Sequence, residues 1–100
     1  MALVYITCKN GKEAKKISMH LLKKRLIACA NIFPIKTLYW WSGKITKSSE
    51  NAIIAKTSVK HFKIVENEVK KIHSYKIPCI IKIKTDANKE FKQLINKEIR

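Results

Sequence analysis

The stretch 31–57 constrains this chain more than any other. Its middle reads Leu38-Tyr39-Trp40-Trp41-Ser42-Gly43-Lys44-Ile45. Apolar and aromatic residues lead into a Ser-Gly turn dipeptide, and a second run leaves it toward Ala52-Ile53-Ile54-Ala55. Two β-favouring runs around a short Gly-containing turn predict a hairpin. Ordinary strands are ~5–6 residues long, so these arms overhang any domain that 100 residues can build. An aromatic overhang in water needs a cover. Either the arms fold back on their own domain or another copy of the chain covers them. The second is the expectation, and self-association is the first functional inference.

The flanking pattern supplies the domain. Leu3-Val4-Tyr5-Ile6 is a continuous apolar run, suited to a strand in the middle of a sheet and buried on both faces. Residues 12–26 place Ala14, Ile17, Ser18, Leu21 and Leu22 on one side at helical spacing, with Lys12, Lys16, His20 and Lys23 opposite. His20 is expected in solvent. The next strand runs from Ala28, and Pro34 predicts a bulge or bend within it. The polar run 47–50 is expected to be a wet section of the return arm. Ser58 is the expected N-cap of a second helix with the stripe Val59, Phe62, Val65, Val69, Ile72 and, one turn after Val69, His73. A strand over 79–84 and a short helix through Phe91, Leu94, Ile95 and Ile99 complete the chain. The order predicts one domain over 1–100 of the α+β class: a ferredoxin-like βαββαβ with a long central hairpin and a short C-terminal helix. Right-handed crossovers put both main helices on one sheet face. The other face then lacks a cover, a second reason to expect an oligomer.

Composition narrows the function classes. The net charge is +15, from 22 Lys and Arg against 7 Asp and Glu. Lys is spread along the whole chain, and Arg occurs only at 25 and 100. Arg is the side chain suited to bidentate base and phosphate contacts, so a specific nucleic-acid partner is not expected. Cys8, Cys29 and Cys79 are odd in number, widely spaced and without a CxxC, which points to reduced thiols in the cytoplasm. Residues 1–8 lack the basic start of a secretory leader, and no apolar stretch approaches a membrane span of ~20 residues, so no membrane partner is expected. Nor is an enzyme expected: Ser-His-Asp patterning and a Gly-rich phosphate loop are missing, and a Cys79–His73 pair has no orienting third group.

Four stretches, in order along nearly the whole length, resemble the CutA family of divalent-cation tolerance proteins. Leu26-Ile27-Ala28-Cys29-Ala30-Asn31-Ile32 is similar to the family's "LAACVNI", and residues 38–45 to "SLYWWEGKI". Lys56-Thr57 follows the return arm, and His73-Ser74-Tyr75 with Pro78 is similar to "HPYxxPE". The resemblance implies a tight homotrimer with hairpins pairing between subunits, a role in metal tolerance, and copper or another divalent cation as ligand. It also implies a likeness to trimeric PII signalling proteins, and hence the alternative of a metal-free small-molecule sensor or scaffold with a ligand in the inter-subunit cleft.

The family's copper pattern has one Cys in the first strand and two adjacent His before the Pro-Tyr. Here Ile6 stands at the Cys position, Ile72 at the first His and His73 at the second, while Cys79 replaces the Glu after the Pro. A substitute centre is conceivable from His73, Cys79 and Cys8, since Cys8 shares a strand face with Ile6 and thiolate plus imidazole suit copper or zinc. The competing reading makes both thiols small buried hydrophobes and His73 a satisfied core residue. The second candidate site is the inter-subunit cleft, lined by Tyr39, Trp40, Trp41, Lys56 and Tyr75, with ordinary interface packing as its competing reading.

Overall fold

In the computed structural model, which describes residues 1–100, β1 (Ala2–Cys8), α1 (Gly11–Lys23), β2 (Cys29–Trp41) and β3 (Lys44–Thr57) come first. A 3-10 turn at Val59–His61, α2 (Phe62–Ile72), β4 (Ile80–Lys84) and α3 (Lys89–Glu98) follow. The strands form one antiparallel sheet in the order β2-β3-β1-β4. This is the expected α+β, ferredoxin-like arrangement. No helix is long and apolar enough to cross a membrane.

The pleat decides where the core lies. Ala2, Val4, Ile6 and Cys8 alternate inward along β1 and are fully buried. Against Val4, Ile6 and Cys8 pack Ala14, Ile17 and Leu21 of α1, Ile53 and Ala55 of β3, and Val65 and Val69 of α2. The other face carries Leu3, Tyr5, Phe33, Ile54, Ile81 and Ile83, as the register requires. β1 is therefore central in the sheet, but only one of its faces is sealed. Phe91 of α3 meets Lys56 there, with the ammonium 5.4 Å from the ring centre, yet Ile81 and Ile83 stay 48% and 46% exposed.

The hairpin register is unbroken from Cys29↔Lys56 to Trp41↔Lys44. The bulge expected at Pro34 is absent. β2 is an edge strand, where a residue without N–H can stand on the open side at no cost to the ladder. The turn is Ser42-Gly43, both at positive φ (51° and 74°), the left-handed pair that a two-residue hairpin loop needs. The tip does not fold back: Leu38, Trp40, Trp41 and Ile45 are 69%, 73%, 65% and 65% exposed.

Several local expectations are corrected. α1 stops at Lys23, three residues early, because Arg25 turns left-handed (φ 58°). Its N–H donates to the Leu22 carbonyl and that of Leu26 to the Leu21 carbonyl, a Schellman closure that sends Leu26 into the core. Ser58 makes no side-chain capping bond; its hydroxyl instead lies 2.5 Å from His61 Nδ1. Cys79 lies just before β4 rather than in it. Glu50, expected in a wet section, is buried. His20 is not free in solvent either: its Nε2 sits 2.9 Å from Glu68 Oε1 between the two helices.

Lys24 and Lys71 reach the same carboxylate, at 3.3 and 2.8 Å. Donation by Lys71, then His20 and Lys24, draws the Glu68 carboxyl down from 4.5 to about 2. A depressed carboxyl stabilises the fold above its unfolded pKa and loses that contribution as pH falls through the folded one. Glu68→Gln should therefore be less stable than the parent at pH 7, and the gap should close between pH 4.5 and about 2 in denaturant melts. Ile17→Ala, at the centre of the helix–sheet core, should cost ~2–5 kcal/mol by urea unfolding.

Candidate functional site

β1 ends at Cys8, paired with Asn51. From Glu50 outward the hairpin runs without a third strand beside it, and the titratable side chains gather at that root. The strand end supplies Cys8, the first turn of α1 supplies Glu13, and the C-cap of α2 supplies His73. One ligand-capable atom from each lies within 4.8 Å of the other two.

Helix-capping chemistry places Glu13. Asn10 Oδ1 accepts from the Glu13 N–H at 2.9 Å, and Glu13 Oε1 accepts from the Lys9 N–H at 3.0 Å, a variant of the capping box. Its other oxygen, Oε2, accepts from the Ser74 N–H at 2.8 Å. Burial raises the Glu13 carboxyl, but the bonds from Ser74 and Lys9 outweigh it and the net shift is downward.

His73 ends α2 in an extended conformation (φ −74°, ψ 140°). Its Nδ1 accepts from the Tyr75 N–H at 3.0 Å and so must carry a lone pair. Its Nε2 lies 2.8 Å from the Thr7 carbonyl, which can only accept, so Nε2 carries the proton. The two partners fix one neutral tautomer and occupy both nitrogens. The Tyr75 ring lies 4.9 Å from the imidazole, and its hydroxyl donates to Glu50 Oε2 at 2.5 Å. Burial, then the bond to Glu50, pushes the Tyr75 phenol well above its ordinary range. Burial first, then the charges of Glu13 and Glu50, pushes the Cys8 thiol to about 12.

Of the thiolate–imidazole trio anticipated from sequence, Cys8 and His73 are in this group, and Cys79 is outside it. Ile6 is fully buried in the core, and Ile72 packs against that core. The anticipated cleft residues are spread along one subunit. Tyr39, Trp40 and Trp41 sit on the outer hairpin and Tyr75 at its root. Lys56 pairs with Leu3 and Cys29, six residues from Glu50 along β3 and thus ~20 Å away. Glu13 and Glu50 escaped the sequence reading. The Asn10-x-x-Glu13 spacing was a usable signal for the first; Glu50, inside a polar run, offered none.

The family model for the CutA1 divalent ion tolerance protein matches residues 2–98. The chain belongs to the CutA divalent-cation tolerance family. A CutA relative from Archaeoglobus fulgidus is 45% identical over 97 residues, spanning 96% of this chain and 95% of its own. The solved structure of the periplasmic divalent cation tolerance protein CutA from that organism superposes with a TM-score of 0.97 at 44% identity, covering 100% of both chains. The PII-like protein CutA from Nostoc sp. PCC 7120, at 19% identity over 100% of this chain and 98% of its own, shares the fold with a TM-score of 0.93.

The family name implies a cation, which the root cluster can be tested for. Copper and zinc take thiolate, a free imidazole lone pair or carboxylate. Here the one imidazole lone pair of His73 and its N–H are both engaged, and each Glu13 oxygen already accepts a backbone N–H. As arranged, the cluster does not fit a metal ion. Thiol reagents at pH 8 should label the half-buried Cys29 and Cys79 in the folded protein and reach Cys8 only on unfolding, as mass spectrometry of the adducts would register.

Proposed function

We propose that this CutA-family chain acts in divalent-cation tolerance as a cytoplasmic homotrimer with a non-catalytic role. The observation that carries the assembly is the uncovered half of the sheet: an apolar face, two open edges and an exposed aromatic hairpin tip. The open edges belong to β2 and β4, which are different surfaces. Pairing one with the other is a head-to-tail contact, which closes into a ring when the rotation between copies allows it, and the resemblance to the family makes that ring a trimer. In such a ring the overhang of one subunit lies beside its neighbour and buries Trp40 and Trp41, while the sheet faces bury Ile81 and Ile83. The partner is the chain itself rather than a specific nucleic acid, since Arg25 is tied to Glu98 at 2.7 Å. Unpaired Cys8, Cys29 and Cys79 agree with a reducing compartment.

The non-catalytic reading rests on His73, whose two engaged nitrogens leave none to serve as a general base. Copper or another divalent cation is then the ion the protein responds to, by way of the assembly. A second reading, a PII-like sensor that takes a small molecule in the inter-subunit cleft, is favoured by the same engaged imidazole together with the aromatic hairpin tip.

Native mass spectrometry of the reduced protein, with and without copper and zinc, tests this reading. The expected species is a trimer that takes up no stoichiometric ion through His73, Cys79 and Cys8. A monomer would refute the assembly. A trimer with one ion per chain, lost in His73→Ala, would restore the metal centre. Because each copy carries +15, the trimer should gain stability from low to moderate salt, where the screening length shortens to ~8 Å. Dissociation on dilution, followed by light scattering at several salt concentrations, measures this.

A further inference from the structure

We propose that Glu13 and His73, packed beside the buried Cys8, form a hydrogen-bonded clamp with Ser74 and Tyr75 rather than a metal centre, and that His73 is the positioning residue that holds Tyr75 on Glu50 at the hairpin root. The proposal deepens the account of this site and stands whether the chain is a trimer or a monomer.

Three consecutive residues after α2 are each tied to a different part of the fold. His73 donates to the Thr7 carbonyl at the end of β1. Ser74 donates its N–H to Glu13 at the start of α1. Tyr75 donates its N–H to the His73 ring and its hydroxyl to Glu50 on β3, at the point where the hairpin leaves the sheet. The short segment thus ties two strands and a helix to the exit of α2. The imidazole serves two of those ties, because its Nε2–H and Nδ1 lone pair point at opposite partners. It is also in ring contact with Tyr75, at 4.9 Å and 49°. Cys8 fills the space beneath as a fully buried member of the hydrophobic core.

Such an arrangement has a mechanical consequence. Beyond its continuation into the sheet, the hairpin is tied to the rest of the chain by the Tyr75–Glu50 bond at its root. A buried carboxylate held by the half-buried Tyr75 phenol resists bending of the arm, and the direction of the arm governs how Leu38, Trp40, Trp41 and Ile45 meet another surface. His73 acts on that direction through Tyr75.

The test separates a clamp from a ligand. Gln at position 73 offers an amide NH2 donor and a carbonyl acceptor, so it can replace both bonds of the fixed imidazole tautomer but not its metal affinity. In long-range proton–nitrogen NMR spectra of the wild-type protein, His73 should show the Nε2–H tautomer, with no shift on adding one equivalent of zinc per chain. His73→Gln should keep the Tyr75 ring shifts and melting temperature near the parent, and His73→Ala should lose both. Either a zinc-shifted His73 ring at one equivalent, or a His73→Gln protein as perturbed as His73→Ala, would overturn the proposal. The NMR arm needs no variant, so it decides even if substitution at 73 prevents folding. Neither arm reads oligomeric mass, so a failed trimer reading and a failed clamp give different results.

Discussion

A mismatch in strand length governs this molecule. β1 has 7 residues and lies at the centre of the sheet, while β2 and β3 have 13 and 14. Pairing with β1 ends at Asn51, and everything the hairpin carries beyond that point stands outside the domain. The mismatch creates the exposed aromatic tip and the step at its base into which Cys8, Glu13, Glu50, His73 and Tyr75 are packed. It also leaves the outer edge of β2 unpaired along its length, next to a sheet face that the two main helices cannot reach. The candidate site and the candidate assembly surface are two results of one geometric fact.

The scarcity of acids sharpens this. Only 7 residues are Asp or Glu, and Glu13, Glu50 and Glu68 are buried. Each is held by at least one donor from outside its own element: Glu13 by Ser74, Glu50 by Tyr75, and Glu68 by His20 and Lys24, with Lys71 of its own helix adding a third. The acids that would balance the surface are used to join elements instead, so the exterior is left more cationic than the whole.

Much of the fold was legible because its signals are local and periodic. The stripes of α1 and α2, the alternation in β1 and the turn at Ser42-Gly43 each follow from spacing alone. The end of α1 was less legible, since a left-handed Arg25 takes the place where Gly is usual. Pro34 was over-read, because a proline in an edge strand need not distort it. The root cluster was half legible. Cys8 and His73 stood out as residue types, whereas Glu13 resembled an ordinary first-turn acid and Glu50 an ordinary surface one.

The sequence by itself determined the element order, the family and the presence of an overhanging aromatic hairpin, because these depend on patterns within short windows of chain. The tertiary structure alone decided the state of His73. Residue type makes it a candidate ligand, but whether its nitrogens are free depends on a carbonyl 66 positions away in the chain, at Thr7. Its second nitrogen depends on the turn that folds Tyr75 back over the ring. A donor atom's availability is set by what packs against it, and no local pattern encodes that.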